Sequence, residues 1–267
     1  MYVVKVPGIN GLGKTQGCEK AGNAILKMLK EQVHSKESGE AIEFEKLELE
    51  EIHLNNDNIE LSNELIYKNS FKAFETKPRT VFLGGDHSVS YSLVRGFFDY
   101  CQNSSREPCL IVFDAHPDLM EPMQEPTHEE WLRRIIEEGF PAENILLVGV
   151  RNSWKTETDY LKEKGIRTIS INDLRENLSD FCHAIMEFSS GKELYVSLDM
   201  DVVDPAFAPA VYYKEPGGLS SREILYIFQR INKVKKLRGV DIVEVNPDKD
   251  ALGLTVKLGA EILSELI

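Results

Sequence analysis

Seven short runs rich in β-branched and apolar residues punctuate the chain, with longer amphipathic stretches between them. They are residues 2–6 (YVVKV), 80–85 (TVFLGG), 109–116 (CLIVFDAH), 144–150 (NILLVGV), 167–171 (RTISI), 194–201 (LYVSLDMD) and 238–246 (RGVDIVEVN). Runs such as LIVF and ILLVGV lack polar alternation, so both faces must be covered, as they are in a parallel sheet between two helical layers. Helical periodicity fills the intervals at 18–33, 128–139 and 220–236, and the last opens with a capping box at Ser220 or Ser221. The expected fold is α/β, a three-layer α/β/α arrangement with a mainly parallel central sheet. No internal repeat or Pro/Gly/Ser-rich linker divides the sequence, so a single domain over residues 1–267 is expected. The polar stretch 35–69 reads as including surface loop, with a solvated face.

Charge narrows the partners. With 44 Asp and Glu against 31 Lys and Arg, the net charge of −13 opposes nucleic acid and anionic membranes and suits cations. No apolar run reaches the roughly 18 residues of a membrane span, and the start lacks a secretory signal, so a cytoplasmic protein is expected. Cys18, Cys101, Cys109 and Cys182 form no CxxC pair. Buried, reduced thiols follow, rather than a zinc knuckle or a disulfide framework.

Acids and histidines gather at the carboxyl ends of three predicted strands, the edge where open α/β sheets build ligand sites. GGDHS (84–88) follows TVFL, DAHPD (114–118) follows LIVF, and SLDMDVVDP (197–205) ends a third run. In extended backbone, residues two apart point the same way, so Asp114, His116 and Asp118 are aimed together, as are Asp199 and Asp201. Asp204, before Pro205, reads as a turn residue. Such a concentration of carboxylates and imidazoles on an apolar rim carries a large desolvation and repulsion cost unless cations neutralise it. Asp and His without thiolate suit Mn²⁺ or another hard to borderline divalent ion. Six candidate ligands point to two ions, a centre that ionises water to hydroxide at neutral pH. The residues alone thus indicate a hydrolase attacking an electrophilic carbon or phosphorus.

Together these motifs resemble the ureohydrolase family, which includes arginases and agmatinases. GGDHS, DAHPD, SLDMDVVDP, PAFAP with PGGLS (205–220) and DIVEVNP (241–247) occur in the family's order and at about its spacing, almost end to end. The resemblance implies an arginase-like fold, two Mn²⁺ per subunit and a homo-oligomer, a trimer or hexamer. It implies His87, Asp114, Asp118 and Asp199 as ligands of one ion and Asp114, His116, Asp199 and Asp201 as ligands of the other. Asp118 would also orient the hydroxide, Glu244 would pair with a substrate guanidinium, and His128 would shuttle a proton to the leaving amine. Asp241 is either a supporting residue behind the site or simply a strand-end residue. His34, His53 and His183 match no motif.

The expected reaction cleaves a guanidino C–N bond to give urea and an amine. The chain departs from the family at two places. Met120 stands where arginases have an asparagine that helps hold the amino-acid carboxylate, and Val211, Tyr212, Tyr213 and Lys214 replace a GTG or GTP segment. These departures favour agmatine, while Lys214 near the mouth keeps arginine or another guanidino acid as the alternative. Tyr213 and Lys214 are accordingly candidate substrate contacts beside Glu244 and His128. A rival class comes from GINGLGKT, Gly8–Thr15, which matches a phosphate-binding loop with Lys14 and Thr15 as its site. An NTPase leaves the other motifs without a role. A binding or regulatory module on the same fold is a third reading, although no metal ligand is missing.

Overall fold

The computed structural model describes the backbone of residues 1–267 and all side chains other than those at positions 175 and 176. Its strands are β1 (Tyr2–Val6), β2 (Glu48–Glu51), β3 (Thr80–Gly84), β4 (Pro108–Phe113), β5 (Ile145–Val148), β6 (Arg167–Ile169), β7 (Glu193–Asp199) and β8 (Leu237–Val243). They form one eight-stranded sheet in the order β2-β1-β3-β8-β7-β4-β5-β6. Every pairing is parallel, so the expected mainly parallel sheet is parallel throughout. The reason lies in the connections: helices or long crossovers separate successive strands, and no tight hairpin joins them.

The helices are α1 (Ala21–Gln32), α2 (Ile59–Thr76), α3 (Val89–Asn103), α4 (Trp131–Glu137), α5 (Lys155–Lys164), α6 (Ile171–Glu176), α7 (Leu178–Phe188), α8 (Ser221–Ile231) and α9 (Leu254–Leu266). Side chains alternate across the sheet. Val3, Val81, Ile111, Val196 and Val240 pack against α1, α7, α8 and α9. Val4, Phe82, Leu110, Val112 and Tyr195 pack against α2, α3, α4 and α5. Both faces are therefore dry, as the unbroken apolar runs require. The capping box forms at α8, where Ser220 Oγ accepts from the Glu223 N–H and the Glu223 carboxylate accepts from the Ser220 N–H.

The stretch 35–69 holds more structure than a surface loop. It contains the edge strand β2 and the start of α2. Strand β2 pairs only with β1, and its residues, Glu48, Leu49, Glu50 and Glu51, are exposed or half-buried. Main-chain hydrogen bonds hold such an edge, so its sequence carries little apolar signal.

The Gly8–Thr15 loop is not a phosphate cradle. The Asn10 N–H and the Thr15 hydroxyl both donate to Asp86 Oδ2 at 2.7 Å. The loop is thus wrapped around a carboxylate, which repels phosphate. A short 3-10 turn, Cys18–Lys20, separates it from α1, whereas a phosphate-binding loop opens directly into its helix. The NTPase expectation built on Lys14 and Thr15 is overturned by this arrangement. Gly85 explains how closely the loop approaches: a Cβ there would lie 2.0 Å from the Gly8 carbonyl oxygen. All four cysteines are free and buried.

Candidate metal centre and pocket

Strands β3, β8, β7 and β4 are consecutive in the sheet, and their carboxyl ends form one rim. His87 lies in the turn between β3 and α3, Asp114 directly follows β4, Asp199 ends β7 and Glu244 directly follows β8. The chain does not continue as a pleated strand through these motifs. β4 stops at Phe113, and the Asp114 side chain closes a turn by accepting the His116 N–H at 2.6 Å. Asp199 accepts the Asp201 N–H at 2.7 Å in the same way, at a 3-10 turn over Met200–Val202. Turns capped by their own aspartates, not strand alternation, therefore bring the members of each motif together. The Ala115 N–H donates to Asp201 Oδ1 at 2.9 Å and ties the two loops.

Six predicted ligands converge. His87 Nδ1 lies 3.0 Å from Asp114 Oδ2, 3.0 Å from Asp118 Oδ2 and 3.2 Å from Asp199 Oδ2. His116 Nδ1 lies 2.9 Å from Asp201 Oδ2 and 3.5 Å from Asp114 Oδ1. Two potential cation sites result, His87–Asp114–Asp199 and Asp114–His116–Asp201, sharing Asp114. Asp118 and Glu244 have φ of +52° and +63°, left-handed values that cost non-glycine residues about 1–3 kcal/mol each. Hydrogen bonds hold both in place. Trp131 Nε1 donates to Asp118 Oδ2 at 2.8 Å, and the Glu244 N–H donates to the Gly85 carbonyl at 2.9 Å.

The electrostatics are those of a site built for cations. Burial raises the pKa of Asp118, Asp199 and Asp201, and neighbouring carboxylates push it up further. Burial also raises Glu244, reinforced by Asp86. Burial alone would lower His87, but Asp114, Asp118 and Asp199 outweigh it and hold the imidazole well above its usual range. Asp114 moves the opposite way to its fellow carboxylates: His116 and His87 overcome the burial and lower it. His87 Nδ1 and Asp114 Oδ2 are buried without a hydrogen bond although they lie 3.0 Å apart. Orphaned lone pairs among crowded carboxylates fit one or two divalent cations, whose charge would relieve the repulsion.

Above the cluster opens a cavity of about 320 Å³, lined by Asp118, Asp199, Asp201, Glu244 and His116 at its base. His128, Glu129, Lys14, Met120, Trp154 and Tyr213 line it further out. His128 lies in the loop before α4, is 5% exposed, and has no hydrogen-bond partner at either ring nitrogen. Burial lowers its pKa below the usual imidazole range, against the opposing pull of Asp86 and Glu129, and so favours the neutral ring. It stacks on Tyr213 at a centroid distance of 5.8 Å. The Tyr213 hydroxyl donates to Glu129 Oε1 at 2.9 Å, and Lys14 Nζ donates to the same hydroxyl at 2.9 Å.

Of the predicted substrate contacts, Glu244, His128 and Tyr213 line the cavity and Lys214 does not. The Lys214 side chain is exposed and its ammonium donates to the Val211 carbonyl at 3.1 Å. That expectation is corrected: Lys14, assigned in sequence only to a phosphate loop, is the lysine of the pocket. Sequence reasoning also missed Asp86, which lies within GGDHS, and Glu129, which adjoins His128. Only the approach of three distant loops gives those two residues their partners. Asp204 is a turn residue as expected, its carboxylate accepting from the Ala206 and Gly217 N–H groups.

A family model for the arginase family matches residues 2–267. The chain belongs to the arginase family. A mitochondrial arginase of Medicago truncatula is 33% identical over 192 residues, 70% of this chain and 54% of that protein. An N(1)-aminopropylagmatine ureohydrolase of Thermus thermophilus is 32% identical over 192 residues, 71% of this chain and 62% of that protein. The chain thus spans about half the length of the plant arginase it matches. Among solved structures, proclavaminate amidino hydrolase from Streptomyces clavuligerus has a TM-score of 0.86 at 26% identity, covering 99% of this chain and 89% of that one. Formimidoylglutamase from Bacillus subtilis has a TM-score of 0.89 at 24% identity, covering 99% of this chain and 85% of that one, a likeness of fold. Among the described residues of this arginase-family chain, no helix is long and apolar enough to cross a membrane.

Proposed function

We propose that the chain is an amidinohydrolase that cleaves a guanidino C–N bond, releasing urea and an amine, with agmatine as substrate and putrescine as product. The observation that carries this reading is the pair of cation sites sharing Asp114 at the base of a pocket that also exposes Glu244. His87, Asp114, Asp118 and Asp199 would hold one divalent ion, and Asp114, His116, Asp199 and Asp201 the other, with manganese favoured by the Asp and His donor set. When bound, such ions supply Lewis acidity that makes water nucleophilic near neutral pH.

The chain's own groups bind, orient and move protons. Glu244 offers a carboxylate to the planar guanidinium, for which it is a natural partner. The His87 N–H holds Glu244 Oε1 at 2.9 Å, so the carboxylate keeps a fixed direction. Asp118, oriented by Trp131, lies between the His87 ring and the cavity. His128 would take up a proton from water in the cavity at one ring nitrogen and hand one from the other to the departing nitrogen, which must leave as an amine rather than an amide anion. The Tyr212, Tyr213 and Trp154 rings give the outer pocket an aromatic lining.

Two features favour a decarboxylated guanidine. Met120 presents a thioether to the cavity, with no donor for a carboxylate, and Lys14 is already paired with Glu129 at 3.3 Å. The second reading, arginine or another guanidino acid, draws on Lys14 itself, an ammonium that lines the pocket. The reading also takes residues 1–267 as one catalytic domain of a cytoplasmic homo-oligomer, a trimer or hexamer.

The test is urea release by the Mn²⁺-loaded protein from agmatine, arginine, guanidinobutyrate and guanidinopropionate, with ATP hydrolysis measured in parallel. Urea from agmatine supports the first reading, and urea from arginine alone promotes the second. Phosphate without urea refutes both.

A further inference from the structure

The outer part of the cavity carries a carboxylate, Glu129, to which the proposed chemistry gives no task. Its Oε1 accepts the Tyr213 hydroxyl at 2.9 Å, and Lys14 Nζ lies 3.3 Å from the same oxygen. Lys14 also donates to the Tyr213 oxygen at 2.9 Å and sits 5.6 Å from the centre of that ring. The three residues come from separate places in the chain: the loop after β1, the loop before α4, and the segment between β7 and α8. Together Glu129 and Tyr213 make a seat for an alkylammonium, built of a carboxylate oxygen, a phenolic lone pair and an aromatic ring.

Lys14 fills that seat loosely. Its side chain is 39% exposed, and 3.3 Å is long for a hydrogen bond between charged groups. Pairs this open add little stability, so an incoming ammonium can take the place of Lys14 while its flexible stem swings to water. Tyr213 keeps its bond to Glu129 through the exchange, because its proton goes to Glu129 and only a lone pair faces Lys14. The charges of the pocket then define a substrate class. Glu244 at the base suits the guanidinium and Glu129 further out suits a second cation, whereas a guanidino acid would set its carboxylate against Glu129.

We propose that Glu129, with the Tyr213 hydroxyl, is the specificity-determining residue that seats the terminal ammonium of an ω-aminoalkyl guanidine, and that Lys14 is a resident cation which the substrate displaces. The inference rests on the amidinohydrolase reading and adds to it the residue that tells a decarboxylated guanidine from its acid.

The experiment compares agmatine with pentylguanidine, in which a methyl group replaces the ammonium, on Mn²⁺-loaded wild type, Glu129→Gln and Lys14→Ala. The ratio of their kcat/KM values isolates the far end of the substrate, because a loss of metal or of His128 function lowers both alike. E129Q should lower the ratio about 10-fold, the lesser worth of a charged hydrogen bond, chiefly through KM for agmatine. K14A should raise it about 2- to 5-fold, the worth of an exposed ion pair. An unchanged ratio in E129Q would overturn the proposal and leave Glu129 only to steady His128, whose Nε2 lies 3.6 Å from its Oε1. A ratio that does not rise in K14A, or a wild type that prefers guanidinobutyrate to agmatine, would overturn it as well. If wild type releases urea from neither guanidine, the amidinohydrolase reading fails. Calorimetric affinities of the same two ligands then give the same ratio and still decide whether Glu129 seats the ammonium.

Discussion

The His87 N–H donates to Glu244 Oε1 at 2.9 Å, joining a residue of the cation cluster to the carboxylate proposed to receive the substrate. The bond crosses from the turn after β3 to the end of β8, two neighbouring strands. Glu244→Gln keeps an acceptor for that N–H and removes the charge that pairs with a guanidinium. Loss of one partner from a buried charged pair costs about 2–5 kcal/mol, so kcat/KM for agmatine should fall roughly 30- to 5,000-fold. Metal content, read by atomic emission, should stay unchanged. A comparable loss of metal would move Glu244 from substrate binding to support of the cluster.

Asp199 and Lys14 separate the base of the pocket from its rim. Asp199→Ala removes a carboxylate 3.2 Å from His87 Nδ1 and should abolish Mn²⁺ loading. Lys14→Ala removes only the rim ammonium that contacts Glu129 and Tyr213, so loading should persist. It should lower KM for cationic guanidines and raise it for guanidino acids, because Glu129 is left without its cation. Steady-state kinetics on agmatine and guanidinobutyrate give the comparison, and unchanged KM values for both would place Lys14 outside the path of the substrate.

His128 makes stability depend on pH. Burial lowers its folded-state pKa below the usual 6.5, so between those two values the unfolded chain binds more protons than the folded one. Its contribution to stability is complete above pH 6.5 and is lost as pH falls through the folded-state pKa. His128→Asn should therefore flatten the decline of urea-unfolding free energy between pH 7 and 5 relative to wild type. Parallel pH curves would show that the ring is not buried in its neutral form.

Gly85 sets the distance between the turn after β3 and the loop after β1. A Cβ there meets the Gly8 carbonyl oxygen at 2.0 Å, and that same oxygen accepts the Asp86 N–H at 3.2 Å. Gly85→Ala should cost about 3 kcal/mol, lowering Tm by roughly 6–12 °C in a chain of this size. Differential scanning calorimetry reads the shift, and an unchanged Tm would mean that the two loops separate freely.

Sequence alone determined the layered α/β plan and the six ligand candidates, because unbroken apolar runs demand two covered faces and acids at strand ends demand neutralisation. It did not reveal β2, whose Glu48, Glu50 and Glu51 are held by main-chain bonds to β1 and carry no apolar pattern. Nor did it find the means of convergence: Asp114, just past β4, and Asp199, the last residue of β7, close turns on their own backbone. Only the tertiary structure gave Lys14 to Glu129 and Tyr213, left Lys214 outside the pocket, and wrapped the glycine-rich loop around Asp86. Local pattern records which surfaces must leave water, whereas these pairings depend on which distant loops meet above the sheet.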